Sequence, residues 1–310
     1  MSLQQTTNTI MMIRPVRFSY NTQTAESNAF QTLDTSCEPD SIQTQAAKEF
    51  DNFVEILKQN GVDVIVIQDT LEPHTPDSIF PNNWGSYHAD GTVILYPMQA
   101  ENRRWERRRS ILDLLREYFV INDEIDLSHY EQDGLFLEGT GSLILDNPNH
   151  ICYACISPRT NPKLLNIFGD KTGYTIVDFE AVDGQGKQIY HTNVVMCMAE
   201  KFTVICLDTI HKPVEREQII KYFLDTQKEI IDISLDQMNK FAGNMLSLQN
   251  NKGETLLVMS EQAYKALTQT QITKIEKYAR IVYAPIYTIE TNGGGSARCM
   301  MAEIFLPKKV

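Results

Sequence analysis

Thr291-Asn292-Gly293-Gly294-Gly295-Ser296-Ala297-Arg298-Cys299-Met300-Met301 holds three consecutive glycines, the last of them four residues ahead of a cysteine. Glycine has no Cβ, so such a run can turn tightly and bring backbone close to a small ligand. The apolar run over 300–306 then reads as a strand. Cys299 would stand where a glycine loop becomes a strand, a rigid and reachable post for a nucleophilic thiol. A glycine turn ahead of an ordinary buried cysteine gives the same spacing, so the reading needs support from the rest of the chain.

Repetition supplies it. Residues 10–16 read as a strand, followed by a polar loop containing Asn21. Residues 41–60 read as a helix, with Ala46, Phe50, Phe53, Val54 and Leu57 at helical spacing and Gly61 closing it. A β-branched strand over 62–67 follows. The same order then recurs. Strands over 79–84 and 92–96 lead to a helix over 101–119 with Trp105, Ile111, Leu112 and Leu115 on its apolar side. Residues 137–145 turn into 151–156 and a helix from Asn161. Residues 190–196 turn into 202–207, then a helix from Pro213, a residue suited to a first helical turn. Residues 238–246 turn into 255–259, a helix over 261–279 and a strand over 280–285.

The hairpin openings at Phe80, Glu138, His191, Asn244 and Gly294 recur at steps of roughly 50 to 58 residues, an internal repeat. Each unit is a hairpin, a helix and a return strand. The expectation is an α/β fold of five modules in a closed ring, a single domain over residues 1–310. The N-terminal strand and the C-terminal hairpin complete one module together. Polar residues cluster at the openings: Asn82 and Asn83, Glu138, His191 and Asn193, Asn244, and Cys299. Modules set about an axis would bring them into one pocket.

Composition narrows the function. Hydrophobic residues at 42% and charged residues at 22% are ordinary for a globular protein. A net charge of −12 speaks against nucleic acid or an anionic membrane as the main partner. No apolar run reaches membrane-spanning length, and the start Met-Ser-Leu-Gln-Gln lacks the pattern of a signal peptide. Six cysteines in 310 residues are not a disulfide framework. Cys152, Cys155, Cys197 and Cys206 lie in apolar strand patterns, where a free thiol packs as a small hydrophobe. A reducing compartment, the cytoplasm, is the expectation. The absence of ligand-spaced His/Cys/Asp groups and of a phosphate loop leads us to expect no metal and no organic cofactor.

A catalytic cysteine needs a base and a group to orient it. Strand alternation in Tyr190-His-Thr-Asn193 places His191 and Asn193 on one face. Glu138 follows Leu135-Phe136-Leu137 and precedes Gly139, a carboxylate entering an apolar strand. Pro81-Asn82-Asn83 by itself reads as a turn. Arg103 is either a ligand anchor or part of a solvated helix face over 103–109.

In this order and at this spacing the residues resemble the guanidine-modifying superfamily. Its pentein fold is a five-bladed α/β-propeller of ββαβ modules, and its members include arginine deiminase, dimethylarginine hydrolase, succinylarginine dihydrolase and glycine amidinotransferase. The resemblance covers nearly the whole chain. Phe80-Pro-Asn-Asn83 is similar to the family's Phe-x-x-Asp, Leu137-Glu138-Gly139 to its Glu-Gly segment, and His191-Thr-Asn193 to its His-x-Asp. Ser157-Pro-Arg159-Thr-Asn161 resembles its Ser-x-Arg-Thr-Asn, and Gly293 through Cys299 resembles its nucleophile loop. The opening from Ile13-Arg-Pro15 to Asn28-Ala-Phe-Gln31 is most similar to the citrulline-utilisation hydrolase branch.

The resemblance implies Cys299 as nucleophile with His191 and Glu138 as its catalytic partners. It implies Arg159 on the substrate carboxylate, Asn83 and Asn193 on the reacting group, Arg103 as a second anchor and Asn21 as a weaker contact. Where deiminases hold a cationic guanidinium with two aspartates, this chain has two amides, Asn83 and Asn193. Amides offer neutral donors and acceptors that suit a ureido group. The implied reaction is citrulline to ornithine, carbon dioxide and ammonia through a covalent cysteine intermediate. Arginine dihydrolase, an arginine or dimethylarginine deiminase, and an amidinotransferase are the alternatives. A non-catalytic propeller that acts as a binding factor, as the ribosome anti-association factor does, is the alternative of another class. The expected partner is a small amino acid, with a homodimer left open.

Overall fold

A computed structural model describes residues 3–33 and 38–309. Its strands, in chain order, are β1 (Thr9–Arg14), β2 (Asp63–Gln68), β3 (Gly85–Tyr87), β4 (Thr92–Leu95), β5 (Asp123–Asp126), β6 (Ile144–Asp146), β7 (Ile151–Cys155) and β8 (Thr175–Phe179). They continue with β9 (Met196–Met198), β10 (Phe202–Ile205), β11 (Glu229–Asp232), β12 (Leu246–Gln249), β13 (Thr255–Ser260), β14 (Arg280–Ala284) and β15 (Ala302–Glu303). Five three-stranded sheets result: β3-β4-β5, β6-β7-β8, β9-β10-β11, β12-β13-β14 and β15-β1-β2. In each, an antiparallel pair is followed by a parallel strand, as in Ile10↔Glu303 and Ile10↔Val64. Parallel neighbours need a crossover, and helices such as Pro39–Gln59, Pro162–Thr172 and Pro213–Asp225 supply it. The repeat read from the sequence is therefore real, and the two ends of the chain do share one module.

Local chemistry sets these elements. In Pro39–Gln59, Ala46, Phe50, Phe53 and Leu57 are fully buried, and each phenylalanine stabilises the packing by roughly 1.5–3 kcal/mol. Pro162–Thr172 begins with Pro162 after Asn161, whose side chain accepts from the Lys163 N–H, and stops at Gly173 in a left-handed conformation.

The structure corrects three expectations. The helix over 101–119 is two, Glu101–Arg104 and Arg109–Tyr118. Arg103 and Glu106 turn into the protein between them, leaving Trp105 53% exposed rather than on an apolar face. The helix over 261–279 breaks into Glu261–Ala266 and Gln269–Glu276, because Thr268 and Gln271 form a capping box that starts a new helix. The hairpin openings are not strands: Pro81–Asn83, Gly139–Ser142, Thr192–Val195 and Ala297–Met300 are single helical turns. The glycine run likewise follows a helix, Tyr287–Gly293, and the last strand is only Ala302–Glu303.

The five sheets are separate ladders, with an isolated bridge between Tyr87 of β3 and Ile304, just past β15, where the Phe305 N–H donates to the Tyr87 carbonyl at 3.1 Å. The ring is therefore not closed by a continuous ladder; the sheets are gathered at their openings, where those helical turns pack on one another. No helix among the described residues is long and apolar enough to cross a membrane.

Candidate functional site

The turns that open the modules carry the polar residues singled out from the sequence, and they meet. His191 Nε2 lies 2.8 Å from Glu138 Oε2, and Arg159 Nη1 lies 3.5 Å from the same oxygen. Asn193 Nδ2 and Asn244 Nδ2 lie 3.4 and 3.3 Å from Cys299 Sγ. Arg103 Nη1 donates to Asn83 Oδ1 at 2.8 Å. Asp77, Asn83, Arg103, Arg159, His191 and Cys299 line one small, tightly filled pocket, with the glycine run forming part of its wall. Gly294 caps the preceding helix at φ 63°, a conformation that disfavours a side chain. Its neighbours Gly293 and Gly295 lie against the Phe80 ring, where a Cβ would fall within 2.7 and 2.9 Å of it.

His191 and Asn193 do not reach this centre by strand alternation. His191 is the extended residue that begins the turn Thr192–Val195, and Asn193 lies inside that turn. The turn, not a pleat, points both inward.

Burial would raise the Glu138 carboxyl, but Arg159, the His191 hydrogen bond and Arg103 outweigh it and hold it well below the usual range. Glu138 is therefore ionised, accepting also from the Gln99 N–H at 3.0 Å. Burial pushes the His191 imidazole down to about 4, against the upward pull of Glu138. His191 is thus neutral at pH 7. Because the carboxylate only accepts, Nε2 carries the proton and Nδ1 is left with a free lone pair. Burial also raises Asp77, opposed by Arg103 and by a hydrogen bond from Asn21. Its Oδ1 is buried without a partner.

The orientation of the two amides follows from their neighbours. A guanidinium only donates, so the Asn83 atom facing Arg103 is oxygen, and Asn83 Nδ2 is left buried with no partner. Asn193 turns Nδ2 to the sulfur and leaves Oδ1 without a partner. One amide thus has a spare donor and the other a spare acceptor.

Arg103 is 2% exposed and bonded to both carboxylate oxygens of Glu106, so the solvated-face reading fails for it. Arg159 also lies over the Tyr190 ring at 4.7 Å and donates to Ser27 Oγ. Asn21 sits behind the cavity rather than on its wall, donating to Asp77 Oδ2 at 2.7 Å. Asp77, Glu106 and Tyr190 were missed by sequence reasoning. For Asp77 the signal was present: an acidic residue entering the apolar run Ile79-Phe80, the same feature that marked Glu138. Burial pushes the strand thiols Cys155, Cys197 and Cys206 up to about 12 and Cys152 higher still, which keeps them protonated. Cys37 lies outside the described residues. Among the described residues no cluster of three or more His, Cys, Asp or Glu side chains could hold a metal ion.

Comparison with known proteins agrees with this geometry. Residues 14–306 match a family model described as eukaryotic N,N dimethylarginine dimethylhydrolase. Among curated proteins, none matches the sequence. Of solved structures, ArgZ, an arginine dihydrolase from the ornithine–ammonia cycle in cyanobacteria, superposes with a TM-score of 0.75 at 16% identity. The match covers 96% of this chain and 41% of ArgZ, so the chain spans about two fifths of that protein. The substrate-bound N-terminal domain of ArgZ matches with the same TM-score of 0.75 and identity of 16%, over 96% of this chain and 98% of the domain. A dimethylarginine dimethylaminohydrolase carrying an S-methyl-L-thiocitrulline adduct matches with a TM-score of 0.66 at 17% identity, over 96% of this chain and 99% of that one.

Proposed function

Because the chain belongs to the N,N-dimethylarginine dimethylhydrolase family, within the pentein superfamily of enzymes acting on guanidino C–N bonds, we propose that it is a cysteine-dependent hydrolase. Its substrate is a guanidino or ureido amino acid and its end product is ornithine. The observation that carries this reading is the amide pair beside Cys299. Asn83 has a spare N–H donor and Asn193 a spare C=O acceptor. A ureido group, with one oxygen and one NH₂ at the reacting carbon, can satisfy both. A guanidinium, which only donates, leaves the Asn83 donor unmatched.

Two substrates share that ureido stage. An arginine dihydrolase hydrolyses the guanidinium first and the resulting ureido group second. The solved structures named above favour this entry point, and Glu138 supplies the carboxylate a cation needs. A hydrolase that takes up citrulline alone is the second reading, favoured by the amides.

In the proposed chemistry the Cys299 thiol passes its proton to neutral His191, and the thiolate attacks the ureido carbon. The C–NH₂ bond breaks as His191 returns the proton to nitrogen, releasing ammonia and leaving an S-carbamoyl cysteine. His191 then takes a proton from water. The hydroxide adds to the carbonyl carbon, the C–S bond breaks, and the carbamate released decomposes to ornithine and carbon dioxide. Ionised Glu138 holds His191 in the tautomer that accepts at Nδ1 and steadies the imidazolium. Arg159 pairs with the substrate α-carboxylate, and Asp77, with its unpartnered oxygen, takes the α-ammonium. Residues 1–310 act as one domain, in a reducing compartment that keeps Cys299 a thiol.

The test is to incubate the protein with citrulline, arginine and dimethylarginine separately and to quantify ornithine, citrulline, ammonia and dimethylamine. Ornithine from both arginine and citrulline, lost in Cys299→Ser, is the expected result. Ornithine from citrulline only selects the second reading. Citrulline that accumulates from arginine or dimethylarginine without ornithine overturns the proposal, as does full activity in Cys299→Ser.

A further inference from the structure

Asn244 opens the fourth module as Glu138 and His191 open theirs, yet the chemistry above gives it no part. It is fully buried, at 0% exposure. Its Oδ1 accepts the backbone N–H of Arg298, the residue before the nucleophile, at 3.0 Å. That bond fixes the amide orientation, since a backbone N–H can only donate. Its Nδ2 is thereby aimed at two acceptors, the Asn193 carbonyl at 2.9 Å and Cys299 Sγ at 3.3 Å. Asn244 Oδ1 is farther from the sulfur, at 3.7 Å. With Asn193 Nδ2 at 3.4 Å on the sulfur as well, Cys299 faces two carboxamide donors. His191 has its Nε2 proton committed to Glu138. A thiolate in this setting is held by fixed dipoles, which stabilise charge in a water-poor site without having to reorganise.

We propose that Asn244 is a catalytic residue that donates to the Cys299 thiolate and, through Arg298, sets the position of the sulfur. The inference rests on the reading of Cys299 as nucleophile and adds a second donor to it. The two roles come from the two ends of one amide. Oxygen holds the backbone that carries the cysteine, and nitrogen holds the sulfur. Removing the nitrogen's contact weakens the anion; replacing nitrogen by a carboxylate oxygen sets a charge against it.

The experiment follows iodoacetamide alkylation of Cys299 against pH, with the labelled residue located by mass spectrometry. The wild type, Asn244→Ala, Asn244→Asp and Cys299→Ser are compared, each checked for a native melting transition. Loss of one donor should move the pH of half-maximal alkylation up by about one unit, roughly a tenfold slower reaction at neutral pH. Asn244→Asp, the same shape with an oxygen able to keep the Arg298 bond, should move it further than Asn244→Ala. A purely structural role reverses that order, because aspartate preserves the backbone contact and alanine does not. Alkylation midpoints equal to the wild type in both variants would overturn the proposal while leaving the nucleophile intact. Turnover surviving in Cys299→Ser would instead remove the nucleophile reading itself. Should Asn244→Ala fail to fold, the isosteric aspartate alone decides, since an unchanged midpoint there contradicts a donor at Nδ2.

Discussion

Asn83→Asp isolates the feature on which the substrate reading depends. The substitution exchanges one atom, the unpartnered Nδ2, for an oxygen of nearly the same size. Arg103, which already donates to Asn83 Oδ1 at 2.8 Å, stays in place to pair with the new carboxylate. Arg103 is itself buried between Glu106 and Asp77, so the added charge arrives beside a fixed cation and the fold should hold. Toward a ureido oxygen the variant presents an acceptor where a donor stood. A buried polar group left unmatched costs roughly 1–3 kcal/mol. At 1.36 kcal/mol per factor of ten, kcat/KM for citrulline should fall roughly 5- to 150-fold. Toward a guanidinium the same oxygen gains a charge-assisted hydrogen bond of about 1.5–3 kcal/mol. The ratio of arginine to citrulline turnover should therefore swing by on the order of a hundredfold or more. Arginine should then stop at citrulline. The assay is kcat/KM for each substrate, read as ornithine from citrulline and as citrulline from arginine. A folded Asn83→Asp protein with an unchanged ratio would refute the argument that the orientation of this amide selects the substrate.

Two further outcomes follow from burial. Burial depresses His191 to about 4, so between its unfolded value near 6.5 and about 4 the unfolded chain takes up a proton that the native state refuses. Stability conferred by this group is full above that window and lost as pH falls through it, by about 3 kcal/mol. Urea melts at pH 7 and pH 4.5 should show a smaller loss for His191→Gln than for the wild type; equal losses would contradict a neutral buried imidazole. Gly141 is the other sensitive point, because a Cβ there would lie 2.8 Å from the His191 ring and closer still to Asn83 Nδ2. Gly141→Ala should cut kcat at least tenfold while shifting the melting temperature little; normal kinetics would mean that His191 and Asn83 tolerate displacement.

The sequence showed the modules more clearly than it showed the site. Period and alternation identify strands and crossover helices because burial acts on every turn of an amphipathic element, as at Ala46, Phe50, Phe53 and Leu57. The openings were misread as strands because Pro81–Asn83 and Thr192–Val195 are one turn long, shorter than any helical period can register. Their polar residues were found all the same, since an Asn, Glu or His inside an apolar context is conspicuous whatever the backbone does. Asp77 and Glu106 escaped for a different reason. Asp77 enters an apolar run, but its partner Asn21 is 56 residues away in sequence. Glu106 lies one helical turn from Arg103, yet whether such a pair faces solvent or the interior is set by tertiary neighbours that spacing does not carry. The amide orientations were out of reach for the same reason, because they are set by neighbours and not by the residue.

This last point bears on how the two arginines divide the work. Both were expected on the substrate, but their free valences differ. Arg103 spends Nε and Nη2 on Glu106, Nη2 also on the Phe80 carbonyl, and Nη1 on Asn83. Little of the bidentate fork that suits a carboxylate remains. Arg159 gives Nε and Nη2 to Ser27 and the Thr24 carbonyl, on the loop beside the cavity, and reaches Glu138 only at 3.5 Å through Nη1. Of the two it is Arg159 whose guanidinium can exchange a long contact for a substrate carboxylate. Arg103 stands one step back: Glu106 fixes Arg103 and Arg103 fixes the oxygen of Asn83, which under the proposed function leaves the amide nitrogen to meet a ureido oxygen. On this reasoning the distinction between a cationic and a neutral substrate is written behind the pocket wall, and replacing Glu106 should loosen it without touching the substrate at all.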